Sequence, residues 1–226
     1  MTLQIGFVIF PDVQQLDLTG PYEVLAALPD GALHLAAQSL EPLRSTTGLV
    51  LAPTTSFAAS PQFDILCVPG GAGVNAMMRD DAALDFIRRQ AAGARYVTSV
   101  CTGALVLGQA GLLTGRRATT HWNYVDLLAD YGATPVRERV VIDGNLITGG
   151  GVTAGIDFGL TLAAEIAGRA AAEAIQLGLE YAPAPPFDAG SPETAPPSVV
   201  AAVRARTAKL RAEREALAAD YAAKHR

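Results

Sequence analysis

Apolar residues along this chain keep two rhythms. Four runs are almost continuously apolar: "LQIGFVIF" (3–10), "ALHLAAQS" (32–39), "FDILCVPGG" (63–71) and "RYVTSV" (95–100). Such runs predict strands, and the first predicts a strand buried on both faces of a sheet. Elsewhere the apolar positions recur at helical spacing: "DLTGPYEVLAAL" (17–28), "DAALDFIRRQAA" (81–92), "TGALVLGQAGLL" (102–113), "NYVDLLADYG" (123–132), "TAGIDFGLTLAAEIAG" (153–168) and "AAEAIQLGLEY" (171–181). The first of these helices should open with Asp17 or Thr19 as cap and carry Pro21 in its first turn. "PDVQQ" (11–15) reads as a turn and "GLVLAPTTSF" (48–57) as strand or hairpin. "RVVIDGNLITGGG" (139–151) reads as two strands joined at Asp143-Gly144-Asn145, a good hairpin turn.

Strands alternating with helices predict an α/β fold with a mostly parallel central sheet. No internal repeat is visible. The composition changes at Ala182, where "APAPPFDAGSPETAPP" begins. The expected organisation is therefore an α/β domain over 1–182, a Pro-rich strap over 183–197 and a C-terminal helix over 198–226. In that helix Val203, Leu210 and Leu217 recur every seven residues, with Val199 one turn earlier. The stripe would lie on the body of the domain or on a partner subunit.

Composition narrows the function classes. The chain has 226 residues, 50% of them apolar, enough for one sizeable core. A net charge of −5 is no nucleic-acid footprint, and the C-terminal helix carries both charge signs, so it is no basic arm. Two cysteines do not make a disulfide framework, and no metal-type spacing of Cys and His occurs. "MTLQIGFVIFPD" has neither a basic opening nor a small-residue cleavage site. The apolar runs break well short of the roughly 20 residues that span a bilayer. A cytoplasmic protein without nucleic-acid or membrane partners is expected.

The candidate chemistry centres on Cys101. It ends a β-branched strand and opens a helix, where backbone N–H groups favour a thiolate. Open α/β sheets bind ligands at this carboxyl edge. The other reading is a small buried core residue, since free cysteines are commonly buried. Cys67, in mid-strand, reads as core. "PGGAG" (69–73) follows another buried strand and belongs to the same edge, where glycines free backbone N–H groups to face developing negative charge. Asp17 follows the first strand; it is either an ordinary helix cap or an acid–base group, its pKa raised if apolar walls surround it. Glu23 reads as solvent-facing and His34 as structural, and His225 lies at the chain end. His121, just before a helix, is placed to approach the site, but no histidine adjoins Cys101.

Together, "DLTGPYEVL", "DILCVPGGAGV", "VTSVCTGALVLGQAGLLTGRRATTHW" and "VVIDGNLITGGGVTAGIDFGL" resemble the PfpI/ThiJ superfamily over roughly residues 3 to 180. The resemblance implies a class I glutamine-amidotransferase-like, flavodoxin-like sandwich with helices on both faces of the sheet. Within the superfamily the motifs are most similar to those of bacterial isocyanide hydratases, lyases that add water to an isocyanide to give an N-substituted formamide. That likeness implies Cys101 as nucleophile and Asp17 as the acid beside it, where many relatives have Glu. It implies Thr102 as the residue after the cysteine, where the protease-like branch has His. Gly71 and Ala72 match a loop whose amides face the thiolate. Gly151 and Val152 lie in "GGGVTAG" (149–155), which matches the start of a helix over the site. It further implies an isocyanide and water as small-molecule partners, a homodimer, and no metal or organic cofactor.

Two other readings stay open on these motifs. One is a glyoxalase or deglycase of the same superfamily, which Asp17 and Thr102 disfavour. The other is a non-catalytic or redox sensor, since regulators of the arabinose-operon type share "CTGA", "AGLLTG" and "TTHW". Those regulators carry two helix-turn-helix units after the sensor domain, for which the strap and one helix leave too little chain.

Overall fold

The structure, a computed structural model, describes residues 2–225. Its centre is a seven-stranded sheet. The chain enters through β1 (Leu3–Val8), crosses by α1 (Gln15–Ala26) and returns in β2 (Gly31–Ala37). A small hairpin of β3 (Leu43–Arg44) and β4 (Val50–Leu51) precedes the edge strand β5 (Thr55–Ser56). β6 (Ile65–Val68) leads into the short α2 (Val74–Met77) and then α3 (Asp81–Gly93). β7 (Tyr96–Val100) runs through Cys101 into α4 (Gly103–Gln109). β8 (Arg117–Ala118) and β9 (Thr134–Pro135) bracket a 3-10 helix over Trp122–Tyr131. β10 (Val140–Asp143) and β11 (Leu146–Gly149) form the predicted hairpin, with Gly144 at φ +58°. α5 (Ala154–Ala167), α6 (Arg169–Gly178) and α7 (Pro197–His225) complete the chain.

The sheet order is β10-β11-β7-β6-β1-β2-β5, and β10 alone runs antiparallel. Helices cover both faces: α1 and α5 pack together on one, while α3, α4 and the 3-10 helix lie on the other. The inner strands β1 and β6 are largely apolar because both faces are covered; Ile5, Phe7, Ile65 and Leu66 are all fully buried. The chain steps from β1 outward to β2 and then reverses to β6 on the other side of β1. Such a reversal leaves a crevice at the carboxyl ends of the strands.

Several local expectations change. α1 begins at Gln15, so Asp17 is its third residue and not its cap, and Pro21 lies inside the helix. Gly20 and Pro21 instead meet Gly155 and Ile156 of α5, a close crossing that only small or cyclic residues permit. The helix predicted over 123–132 is a 3-10 helix stopped by Gly132 at φ +74°. α7 lies along the 3-10 helix of its own chain. Its buried face is Arg214, Ala218, Tyr221 and Ala222; the sevenfold stripe is only half-buried, and Val199 is 44% exposed.

Candidate active site

The carboxyl ends of β1, β6 and β7 bring three segments together. Cys101 sits at the end of β7 with φ +55°, a left-handed conformation rare for a residue with a side chain. A turn of this kind stores about 1–3 kcal/mol and persists only where its surroundings over-determine it. Those surroundings are visible. The Cys101 N–H donates to the Gly150 carbonyl at 2.8 Å and to that of Gly149 at 3.1 Å. Its carbonyl accepts the Thr120 hydroxyl at 2.6 Å. Gly103 then lets the chain pass under β6: a Cβ there would stand 1.9 Å from the Val68 carbonyl oxygen. The sharp strand-to-helix turn lifts the sulfur out of the sheet plane, the arrangement by which such turns present a nucleophile.

Asp17 reaches the same point from α1. Its side chain is fully buried. Oδ2 accepts the Gly70 N–H at 2.9 Å, while Oδ1 finds no N–H or O–H donor. The Cys101 thiol lies beside this carboxyl, and each alters the other's proton affinity. Burial lifts the Asp17 pKa from 3.8 to about 7, against the pull of the Gly70 N–H and the Cys101 thiol. Burial and then the Asp17 charge push the Cys101 thiol well above the ordinary range; the Thr102 N–H and the charge of Arg214 pull it back. The seven-residue α4 therefore does not make the free thiolate the resting state, contrary to the simple helix-terminus argument. Near neutral pH the thiol therefore keeps its proton beside a carboxyl close to its own midpoint, and the carboxylate form is placed to receive it.

The glycine turn after β6 serves this pair indirectly. Thr102, 3% exposed, accepts the Gly71 N–H on Oγ1 at 3.1 Å. The Ala72 N–H points to Thr46 Oγ1 at 3.5 Å. These two amides were expected to face the thiolate. They are spent on hydroxyls, and the N–H that reaches the sulfur is that of Thr102. The Cβ of any larger residue at Gly70 would lie 2.6 Å from the Thr102 nitrogen and 2.8 Å from Asp17 Oδ2, so the turn fits only glycine there.

A cleft of about 440 Å³ opens beside the elbow. Its walls include Thr120 and Gly150, which hold Cys101, together with His121, Gly151 and Val152. Gly190–Glu193 of the Pro-rich segment form the outer wall. His121 is neutral: burial and then the Arg214 charge pull its pKa down to about 4. Its Nδ1 accepts the Asn123 N–H at 3.3 Å, which leaves the ring proton on Nε2. The remaining sequence candidates lie elsewhere. Glu23 is exposed, and His34 bonds Gln4 and stacks on Phe63. Cys67 is buried in mid-strand, its thiol pushed up to about 12 by burial.

Sequence reasoning missed one participant. Arg214, on α7, is 3% exposed and donates to the Gly71 carbonyl at 2.7 Å. Its place among alternating charges in "LRAEREAL" looks like a solvated helix face. The only available signal is that Arg214, Ala218, Tyr221 and Ala222 share one side of that helix.

These features define an α/β protein with a doubly wound sheet and a buried cysteine–carboxyl pair at its switch point. The chain belongs to the DJ-1/PfpI family, whose model matches residues 4–165. It is 65% identical over 216 residues to the isonitrile hydratase of Pseudomonas putida, covering 94% of this chain and 95% of that protein. Its fold matches the crystal structure of a ThiJ/PfpI family protein from Pseudomonas syringae with a TM-score of 0.94 and 43% identity, over 96% of this chain and 91% of that one. The Drosophila melanogaster DJ-1beta structure matches at a TM-score of 0.73 and 26% identity, over 81% of this chain and all of that one.

Proposed function

We propose that this chain is an isonitrile hydratase, converting R–N≡C and water to the formamide R–NH–CHO. The observation that carries the reading is the buried Cys101–Asp17 pair in a chain 65% identical to such an enzyme along nearly its whole length. The terminal isocyanide carbon is electrophilic and has no leaving group. It needs a soft nucleophile, one proton and one water. In this reading the thiol proton passes to Asp17 as the Cys101 sulfur bonds to that carbon. Asp17 then delivers the proton to the same carbon, giving the thioimidate R–N=CH–S–Cys101. The Asp17 carboxylate next takes a proton from water as the oxygen adds to carbon. Asp17 passes that proton to the substrate nitrogen, giving R–NH–CH(OH)–S–Cys101, and collapse forms the C=O bond and breaks the C–S bond, the hydroxyl proton returning through Asp17 to the departing sulfur as the formamide leaves.

The proton affinity of Asp17, near 7, supports both halves of the cycle, since an acid–base group works best when its pKa lies near the working pH. Thr102 steadies the Gly71 turn and supplies its N–H to the sulfur. Gly151 and Val152 shape the cleft in which the substrate's R group would lie, and the neutral His121 offers it a donor. The glyoxalase or deglycase reading has less support, because the 65% identity to an isonitrile hydratase runs along nearly the whole chain and the site has Asp17 where relatives of that branch more often carry Glu. We also read the protein as a cytoplasmic homodimer. Two free cysteines suit a reducing compartment, and among the described residues no helix is long and apolar enough to cross a membrane. Sedimentation tests the dimer.

The deciding experiment is turnover of an aryl isocyanide, followed by formamide absorbance, beside Cys101→Ala and a methylglyoxal control. Formamide that requires Cys101, with no loss of methylglyoxal, is expected. Consumption of methylglyoxal alone would move the assignment to the glyoxalase branch.

A further inference from the structure

Among the described residues the buried charged side chains are Asp17 and Arg214, and both act on Cys101. Arg214 comes from α7, more than a hundred residues after the elbow. Its Nε donates to Asn75 Oδ1 at 2.9 Å, its Nη2 to the Gly71 carbonyl at 2.7 Å, and its guanidinium lies 4.4 Å from the centre of the Tyr124 ring. None of these partners carries a formal charge. Glu213 is spent on the Asn75 amide nitrogen at 2.8 Å, and no carboxylate forms an ion pair with Arg214 among the described residues. A buried guanidinium without an anion is costly unless something nearby compensates its charge.

We propose that Arg214 is a positioning residue of the reaction: its guanidinium clamps the Gly71 turn and sets a fixed positive charge against the negative charge that Cys101 and Asp17 carry when they ionise. The clamp acts at Gly71 from the carbonyl side, while the N–H of the same residue holds Thr102, the neighbour of Cys101. α7 is thereby part of the site and not an appendage to it. The inference rests on Cys101 being the reacting thiol. It does not require the substrate to be an isocyanide.

The groups that bear on this charge come from every element around it. Asp17 lies on α1, His121 and Tyr124 on the 3-10 segment, and Glu213 on α7. Tyr131 lies at the far end of the 3-10 helix, and Arg79, beside α2, donates to the Asn75 carbonyl. Removing the positive charge should make the thiolate harder to form.

The test is the pH dependence of Cys101 alkylation by iodoacetamide, which needs no substrate, alongside aryl isocyanide turnover. Arg214→Met removes charge and clamp. Arg214→Gln removes the charge but keeps an amide donor for the Gly71 carbonyl, and Arg214→Lys keeps the charge but loses the fork. A neighbouring positive charge lowers the proton affinity of a thiol, and Arg214 acts on Cys101 in that sense. The alkylation midpoint should therefore rise measurably in Arg214→Met and Arg214→Gln, and Arg214→Lys should restore most of it. Turnover should fall at least about tenfold in Arg214→Met and recover in part with Lys. If Arg214→Met fails to fold, Arg214→Gln carries the same reading with α7 still docked. A folded Arg214→Gln or Arg214→Met with the wild-type midpoint would overturn the proposal. A shifted midpoint in a protein that does not hydrate isocyanides would sustain it and remove only the substrate assignment.

Discussion

Asp17→Asn should stop the chemistry and yet make the folded protein more stable at pH 8. The carboxyl is fully buried, and burial lifts it from 3.8 to about 7. At about 1.4 kcal/mol per pH unit, that displacement corresponds to about 4 kcal/mol of ionisation free energy. A carboxyl whose proton is held more tightly in the folded chain favours folding fully below its unfolded value, and the contribution is lost as pH rises through the folded one. The window is therefore about pH 4 to 7, with stability falling as pH rises. His121 works in the opposite sense. Its pKa is pulled from 6.5 down to about 4, so it opposes folding as pH falls below 6.5. The two slopes oppose each other over most of the same window, and the wild-type curve hides both. The variant separates them, because Asn keeps an oxygen for the Gly70 N–H and has no proton to lose. In urea unfolding at pH 5, 6, 7 and 8, the stability of Asp17→Asn minus that of wild type should grow by about 2–3 kcal/mol from the lowest pH to the highest. A difference that stays constant over this range would mean that Asp17 ionises at its ordinary value. It would then be too weak a base to take the thiol proton.

Other expectations follow from the same geometry. Thr120→Val removes the hydroxyl that holds the Cys101 carbonyl at 2.6 Å and should cost about 1–2 kcal/mol of stability, read from urea midpoints, with a clear fall in kcat. Unchanged kcat would separate the elbow from that bond. Gly103→Ala places a methyl 1.9 Å from the Val68 carbonyl oxygen, a backbone atom that cannot step aside. It should destabilise by about 3 kcal/mol or more, seen as a collapsed urea midpoint or insoluble protein. Nitrogen NMR should find His121 neutral with its proton on Nε2 down to about pH 5, and a titration near 6.5 would contradict its burial.

The apolar rhythm carried most of the architecture. Continuous runs mark strands covered on both faces, and all four of those runs lie in the central sheet. Asp143-Gly144-Asn145 marked its hairpin by turn chemistry alone. The site was legible in part. Cys101 stood out because a strand runs directly into a helix there, but Asp17 was ambiguous between cap and acid. What decides Asp17 is a carboxyl–Gly70 contact across 53 positions of sequence, which no local pattern encodes. Arg214 was hidden for a related reason. A lone arginine on a charged helix is ordinarily solvated, and only the tertiary packing of α7 on the 3-10 helix and α2 buries this one. The fate of the Gly71 and Ala72 amides was out of reach as well, because it depends on two threonine hydroxyls from other segments.

The two cysteines supply a sharper test of what makes a thiol react in this fold. Both are buried, and both have proton affinities raised by burial. Burial therefore cannot be the distinction. Cys67 lies in β6, in register with Phe7 on one side and Thr98 on the other, so a reagent reaches it only if the sheet opens. Cys101 lies just past the last ladder position, on a turn that projects it beyond the strand, with Asp17 beside it to receive its proton. Native protein should thus take up one equivalent of iodoacetamide. Cys101→Ala should take up none on the same timescale, and both thiols of the wild type should react in urea. The rate at Cys67 is then set by global unfolding and should be slower by orders of magnitude in a stable domain. If native Cys101→Ala were labelled at the wild-type rate, the elbow and its acid would not be the source of reactivity, and the assignment of Cys101 would fall with them.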